Sequence, residues 1–269
     1  MQGMDVFVGI DVAFAKHKRL PICISKWENS RFIPLDPCRQ TLSRVPRGRG
    51  NRACINEECR KCFATQTKDY LLDLVEEGFK IRRIAIDAPR APKSHGERRR
   101  ESERELERRD ISYYPTPSST EFEEILLKVN RHIGAGQPDS NFPHANQLWM
   151  LVGFDLFREL SEKWECIEVF PHAIMWCLGE CSIPKSRAEG VTNRLRALRR
   201  YTGWPTVTDS ESLRSLSRMV GSPAHDAVDA YASAWIAALE PPYRIPLGNP
   251  QEDAIWIPSD ELLQGPTFF

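Results

Sequence analysis

The segment 222–240, with the sequence SPAHDAVDAYASAWIAALE, constrains the fold more than any other part of the chain. Apart from two acids near its start, it is rich in alanine and other apolar residues, which predicts an apolar helix. We expect Ser222 to cap this helix and Pro223 to take its first position. Pro241 would end it. The small side chains predict that the helix backbone lies close against a sheet.

Two acidic side chains interrupt this apolar helix near its start. Asp226 and Asp229 are separated by one helical turn, so both lie on one face of the helix. Acids at a helix N-terminus also stabilise the helix through its dipole. The pair alone therefore does not distinguish a functional site from helix stabilisation.

The order of the expected elements indicates an α/β fold. Strands are predicted over residues 4–14, 20–27, 31–35, 81–89 and 164–171. Short connections join the first three strands, which predicts an antiparallel meander. A helix at 66–78 and further helical segments separate the last two strands, and such long crossovers indicate parallel neighbours. We therefore expect a mixed sheet of three antiparallel and two parallel strands, flanked by helices.

Length and composition favour one main domain. The chain has 269 residues, which suffices for a large core without disulfide support. We expect a domain over 1–240 with a Cys/Arg-rich insertion at 38–62, and a Pro-rich C-terminal extension at 241–269 that packs on the domain. The 37 basic and 37 acidic residues balance, so net charge argues neither for nor against a nucleic-acid partner.

Several features favour a cytoplasmic protein without a membrane partner. No apolar run approaches the ~20 residues of a membrane span. The N-terminus begins a strand at once and lacks the layout of a signal peptide. The eight cysteines, several of them in apolar surroundings, fit a reducing compartment better than a disulfide scaffold.

Two of the predicted strands end in an acid, and a third carries one in its middle. Asp11 ends VGID, Asp87 ends IAID, and Glu168 lies within CIEVF. An Asp at a strand end is often only a turn residue. However, the carboxyl ends of parallel strands form the crevice where α/β sheets bind ligands. Converging carboxylates repel one another unless a cation neutralises them, so these acids, with the two helix acids, predict a site for Mg²⁺ or Mn²⁺.

The acidic motifs occur in a characteristic order along the chain. GID, then IAID followed by Ala-Pro, then EVFP and HDAVDAYASA resemble the RuvC-like branch of the RNase H fold. More closely, they are similar to the predicted-nuclease family numbered 429 among the domains of unknown function. The resemblance spans about residues 5–240 and implies an RNase H-like sheet.

The resemblance also implies roles for the acids. Asp11 and Asp87 would be the metal ligands of the first and fourth strands. Asp226 and Asp229 would complete the site, with Glu168 as an outer or alternative ligand. In the RuvC branch the fourth-strand acid is more often Glu, so the shorter Asp87 departs from that pattern.

The function expected from these acids is hydrolysis of phosphodiester bonds in nucleic acid, DNA or RNA, by a two-metal mechanism. Two such ions about 3.5–4 Å apart can activate water and stabilise the leaving oxygen. A non-catalytic nucleic-acid-binding or assembly module on the same fold is an alternative. An actin-like ATPase or kinase that uses a Mg²⁺-nucleotide is another, but GIDVAFAK lacks the glycine after the aspartate that would help form a phosphate hairpin.

Four cysteines in the insertion have spacings that suit a structural zinc ion. They are Cys38, Cys54, Cys59 and Cys62, which end in a C-x₄-C-x₂-C pattern. Four thiolates can hold Zn²⁺ in a tetrahedral site. The alternative is a set of free thiols in a flexible loop.

Basic residues supply candidate contacts to the phosphates of nucleic acid. A stretch without acids carries Arg194, Arg196, Arg199 and Arg200. Lys93 lies just beyond the IAID strand and is a further candidate. The charged stretch 93–110 alternates Arg with Glu, which predicts a solvated helix.

Overall fold

The computed structural model describes residues 3–37 and 39–265. The strands in this part of the chain are β1 Met4–Asp11, β2 Ile22–Glu28, β3 Arg31–Pro34, β4 Phe79–Asp87, β5 Cys166–Val169, β6 Arg244–Asn249 and β7 Asp253–Pro258. The helices are α1 Arg39–Arg44, α2 Asn51–Cys54, α3 Glu57–Glu76, α4 Glu101–Arg108, α5 Ser119–Gly134, α6 Ala145–Leu160, α7 Pro171–Cys177, α8 Ala188–Thr202, α9 Ser210–Val220, α10 Ala224–Ala238 and α11 Asp260–Gln264.

The strands form one mixed sheet, as the sequence predicts. Within the described residues the sheet has seven strands in the order β3-β2-β1-β4-β5-β7-β6. The first three strands pair antiparallel, and β4 and β5 continue parallel to β1. The C-terminal segment adds two strands that the prediction does not include as part of the sheet. There β7 runs parallel to β5, and β6 pairs antiparallel with β7.

The pairing of β1 with β4 contains a one-residue irregularity. Val6 pairs with Ile81, but the next residue of β1, Phe7, pairs with Arg83. Arg82 is therefore an extra residue in β4, as in a β-bulge. Beyond the bulge the register is regular and ends with Asp11 opposite Asp87.

Helices cover both faces of the sheet. On β1, alternate residues Val6, Val8 and Ile10 are fully buried in the cluster that also contains side chains of α3 and α6. A second buried cluster lies on the other face and contains side chains of α7, α8, α9 and α10. No helix in the described part of the chain is long and apolar enough to cross a bilayer.

The alanine-rich helix α10 lies directly on β1, as its small side chains predict. A Cβ atom on Gly9 would stand 2.0 Å from the carbonyl oxygen of Ala230 and 2.3 Å from the amide nitrogen of Ala234. Only a glycine permits this approach. The predicted N-cap is wrong: Pro223 precedes the helix with an extended ψ of 152°, and no side chain caps it. Ser222 therefore stands one residue too early to cap.

The insertion is more helical than the sequence suggests. Helix α3 begins at Glu57 and not at residue 66, because Asn56 caps it by accepting a hydrogen bond from the amide of Cys59. Residues 57–62 are thus the first turns of a long helix that packs on the core. Cys38, the first of the predicted zinc ligands, lies outside the described residues.

Candidate functional site

Four aspartates approach one another at the carboxyl edge of the sheet. Asp11 and Asp87 are register partners on neighbouring parallel strands, and their side chains are close enough to affect each other's pKa. Asp229, on the first turns of α10, is only 1% exposed. Asp226 lies one turn before it, and its charge acts on Asp11. The contact between α10 and β1 brings these two pairs together.

Burial makes three of these carboxyl groups, those of Asp11, Asp87 and Asp226, hard to ionise. Burial, together with the charges of Asp87 and Asp229, raises the pKa of Asp11 well above its usual range. Burial also raises the pKa of Asp87 to about 7, despite the opposing effect of Lys185. The pKa of Asp226 is raised as well, again mainly by burial. The cluster therefore favours a bound proton or a bound cation near neutral pH.

The side chain of Lys185 supplies a positive charge to this cluster. Its Nζ lies 2.5 Å from Oδ2 of Asp229. Burial disfavours the charged form of Lys185, but the charges of Asp229 and Asp11 outweigh burial and raise its pKa. On the other side of Asp229, Nη1 of Arg194 lies 3.4 Å from Oδ1. Both carboxylate oxygens of Asp229 thus face a cation.

This arrangement is not that of a preformed metal site. Among residues 3–37 and 39–265, no three His, Cys, Asp or Glu side chains stand together in a geometry that would hold a metal ion. Lys185 contacts Asp229 directly, and Asp11 lies beside Asp87. The donor chemistry is present, but a metal ion would require these side chains to rearrange.

Glu168 lies beside this cluster but is held by other partners. Its Oε1 and Oε2 accept hydrogen bonds from Nη1 and Nη2 of Arg100 at 2.8 and 2.7 Å. The backbone amide of Arg90 donates to Oε2 at 2.9 Å. Asp253 of β7 shares Nη2 of Arg100 at 2.5 Å. Glu168 could bind a metal only after exchanging one of these contacts.

Arg100 is the site residue that the sequence prediction places least well. The charged stretch 93–110 is helical only over α4, and Arg100 stands immediately before that helix. Arg100 and Glu103 are buried, so the prediction of a fully solvated helix is wrong for these two. Glu103 accepts a hydrogen bond from the amide of Thr116 at 2.6 Å. Nothing in an alternating Arg/Glu pattern marks which members turn inward.

A cavity of about 400 Å³ opens beside the acids. Asp11, Asp87, Arg100, Glu168 and Lys185 contribute to its polar part. Its other walls are largely apolar and include four aromatic side chains, those of Tyr113, Tyr114, Trp149 and Phe170. The volume lies in the range of small-ligand sites, about 300–1,000 Å³. Tyr114 is 65% exposed and lines the cavity, where a bound ligand can reach it.

The predicted phosphate-binding residues divide into two groups. Arg194 is buried and faces Asp229. Arg196 and Arg200 are exposed on the outer side of α8, and Arg199 is half-buried. Lys93 is already in an ion pair, 2.9 Å from Glu121. The structure thus brings Arg194 to the acids and leaves Arg196 and Arg200 facing solvent.

The three described cysteines of the insertion do not share one environment. Cys54 is buried, its thiol donates to the carbonyl of Gly50, and burial raises its pKa to about 12. Cys59 and Cys62 lie on α3, where the guanidinium of Arg49 contacts their sulfur atoms at 3.8 and 3.6 Å. With Cys38 outside the described residues, the zinc site stays a prediction.

Comparison with known proteins gives one match. A family model named DUF429 and described as a protein of unknown function matches residues 35–242. No curated protein and no solved structure matches the chain. The matched segment includes Asp87, Asp226 and Asp229, whereas Asp11 precedes it. Because the match covers most of the chain, this protein belongs to the DUF429 family, as its acidic motifs predict.

Proposed function

We propose that this protein is a metal-dependent nuclease that hydrolyses phosphodiester bonds of nucleic acid on an RNase H-like fold. The observation that carries the proposal is the convergence of Asp11, Asp87, Asp226 and Asp229 at one edge of the sheet. The arrangement of three antiparallel strands followed by two parallel ones supports the RNase H-like assignment.

The donor set fits a hard divalent cation. All four candidate ligands are carboxylates, which Mg²⁺ and Mn²⁺ prefer. Burial raises the pKa of Asp11, Asp87 and Asp226, so the ionised cluster lacks sufficient positive charge of its own. When bound, two such ions would activate water and stabilise the charge on the leaving oxygen.

The remaining residues of the site would orient these ligands and the substrate. Arg194 holds one oxygen of Asp229 from the neighbouring helix. Arg100 fixes Glu168, and so keeps that carboxylate from moving into the cluster. The aromatic walls of the cavity offer faces on which an unpaired base can stack. These features favour a single-stranded or unpaired segment as the substrate.

A non-catalytic nucleic-acid-binding module is the second candidate. The observation that favours it is the ion pair between Lys185 and Asp229, which already neutralises one of the acids. In such a protein Arg196 and Arg200, exposed on α8, would contact phosphates. Salt-sensitive binding without turnover would be its signature.

A cleavage assay distinguishes the two. Labelled DNA and RNA, single- and double-stranded, would be incubated with Mg²⁺ or Mn²⁺ and with the wild type, Asp11→Asn, Asp87→Asn or Asp226→Asn. We expect each substitution to lower the rate by more than about 100-fold, since preorganised charge stabilisation is typically worth that much. Activity that survives both Asp11→Asn and Asp226→Asn would refute the nuclease.

Asp5→Asn is a matched control for this assay. Asp5 lies on the same strand as Asp11 but at the opposite edge of the sheet, where it is exposed. Its closest cation, Arg82, is 3.5 Å away. The control should therefore retain wild-type activity, and a loss in Asp5→Asn would point to damage to the sheet instead of the site.

A further inference from the structure

We propose that Lys185 is a built-in counter-ion that occupies the cation position beside Asp229 and gives it up when a divalent metal ion binds. This inference rests on the proposed metal site and concerns how that site is regulated. Lys185 is then a positioning residue: it holds the acids in the metal-free protein and competes with the metal ion for them.

The geometry makes Lys185 the cation common to the whole cluster. Its ammonium contacts Asp229 at 2.5 Å. Its charge also favours ionisation of Asp11, Asp87 and Asp226, since it lowers the pKa of each. Buried carboxylates need a compensating charge. An ammonium group and a metal ion are thus alternative ways to satisfy the same four acids.

The two cations on Asp229 differ in how easily they can leave. Arg194 lies within helix α8, and its side chain is 6% exposed. Lys185 lies in the connection between α7 and α8, and 47% of its side chain is exposed. Nearly half of this side chain already borders solvent, so turning outward leaves no cavity in the core. Arg194 is therefore the fixed partner and Lys185 the exchangeable one.

A hydrogen-bonded turn fixes the backbone of Lys185; we call this turn the anchor. The amide of Arg187 donates to the carbonyl of Pro184 at 3.0 Å and closes a turn around Lys185. This turn rests on the first turn of α8, where a Cβ on Gly190 would lie 2.3 Å from that same carbonyl oxygen. The anchor aims the side chain at Asp229, while the side chain itself stays free to change rotamer.

The first test measures the binding of Mn²⁺ by titration calorimetry to the wild type, Lys185→Met and Lys185→Arg. Methionine keeps the length of the side chain and removes its charge, whereas arginine keeps the charge. We expect Lys185→Met to bind Mn²⁺ about tenfold more tightly, within the range usual for competing sites. Lys185→Arg should stay close to the wild type.

The outcomes separate this inference from the proposed function. If the wild type binds Mn²⁺ measurably and Lys185→Met binds it equally or more weakly, the counter-ion role of Lys185 is overturned, whereas the proposed metal site is not affected. If neither the wild type nor Lys185→Met binds Mn²⁺ at millimolar concentration, the metal site itself is refuted, and the counter-ion with it.

A second test uses only the wild-type protein, so it does not depend on the folding of a variant. Lysines would be acylated with an N-hydroxysuccinimide ester, with and without Mg²⁺, and quantified by mass spectrometry. We expect Mg²⁺ to increase the labelling of Lys185 several-fold, because the released ammonium enters solvent. Unchanged or reduced labelling at a saturating concentration of Mg²⁺ overturns the proposal.

Lys68 is the matched control for this labelling. It is also held by carboxylates, at 3.1 Å from Glu159 and 2.5 Å from Glu162, but it lies on α3 and contacts α6 and the residues that follow it. Its labelling should not respond to Mg²⁺. A parallel rise at Lys68 would mean that Mg²⁺ loosens surface ion pairs in general and would overturn the specific exchange at Lys185.

Discussion

Asp87 links the acidity of the site to the stability of the protein. Burial raises its pKa from the ordinary value of 3.8 to about 7. Between these two pKa values, the carboxyl group of Asp87 is therefore protonated in the folded protein and ionised in the unfolded chain. The contribution of this carboxyl group to the stability of the fold is fully present below about pH 4 and is lost as the pH rises through about 7.

The stability of Asp87→Asn relative to the wild type should consequently increase as the pH rises. In EDTA, the melting temperature of Asp87→Asn relative to the wild type should be higher at pH 8 than at pH 5, by about 3 °C or more. Thermal melts followed by circular dichroism would measure it. Asp5→Asn, on the exposed opposite edge, should show no such trend; a flat difference for Asp87→Asn would contradict the raised pKa.

Arg100 should be among the residues whose loss most destabilises the fold. Arg100→Met would leave Glu168 and Asp253 without their common buried partner. Removing one member of a buried ion pair typically costs about 3–5 kcal/mol. Urea denaturation would measure the change in the free energy of unfolding, and a loss below about 1 kcal/mol would contradict the buried pairing.

A second substitution provides the control for Arg100. The double variant Arg100→Met, Glu168→Gln removes the unpaired carboxylate as well as its partner. It should recover part of the lost stability, because a neutral amide costs less to bury than a charge. A double variant that is no more stable than Arg100→Met would mean that packing, not charge, gives Arg100 its effect.

Individual site residues differ in how far the sequence predicts them. Asp11 and Asp87 are predictable because each directly follows a buried strand run, and neighbouring parallel strands end at one edge. The role of Lys185 is not predictable from the sequence, because its partner Asp229 lies 44 residues away and no periodicity or spacing relates the two. Ion pairs between distant segments depend on the assembled fold, and their members look like ordinary surface residues in the sequence.

At the scale of elements, the contact between α10 and β1 positions half of the acids. Gly9→Ala would place a methyl carbon 2.0 Å from the carbonyl oxygen of Ala230, which belongs to a buried helix backbone. The helix must move, and overpacking of this kind typically costs about 1–3 kcal/mol or more. We expect a loss of stability in urea and, because Asp229 moves with α10, weaker Mn²⁺ binding.

Gly134→Ala is the matched control for this substitution. Gly134 ends helix α5, and a Cβ there would meet no atom within 4 Å. Alanine favours the helix over glycine, so this variant should be as stable as the wild type or slightly more stable. If Gly9→Ala were equally neutral, α10 would not lie as close to β1 as described.

The elements themselves were predictable to different degrees. The long buried strands and α10 follow from their hydrophobic patterns. The start of α3 differs from the prediction although Asn56, followed by Glu57 and Glu58, is a good N-terminal signal, because the neighbouring cysteines are also typical of a loop. Strand β6 contains Pro246 and Gly248, both unfavourable in strands, and forms because β7 offers it a partner. Pairing with a neighbour decided its structure.

At the scale of the whole molecule, the cavity exists only once distant segments have assembled. Its walls come from β1, β4, β5, β7 and α6 and from the residues around α4. The order of the acids along the chain predicts that a site lies at this edge. The aromatic walls and the shape of the cavity could not be predicted, since Tyr114 and Trp149 carry no local signal of their meeting.

The cavity gives a prediction about substrate preference. Tyr114→Ala should weaken the binding of a labelled single-stranded oligonucleotide by about 5- to 150-fold, since base stacking on an aromatic ring is worth about 1–3 kcal/mol. Fluorescence anisotropy with the Asp87→Asn variant would measure binding without cleavage. Tyr243→Ala is the control, because Tyr243 is also exposed but does not line the cavity. Equal effects of the two substitutions would contradict stacking in the cavity.

The bulge at Arg82 has a consequence at the far edge of the sheet. If Arg82 paired with Phe7 and no bulge formed, Ile86 would stand opposite Asp11, and Asp87 would point to the other face of the sheet. The side-by-side placement of the two carboxylates is thus determined near the start of β4, not where the carboxylates lie. A chain that lost Arg82 could pair regularly along β4 and would still place Asp11 opposite Asp87, whereas a chain that kept Arg82 but formed no bulge would keep every acid yet misalign the pair.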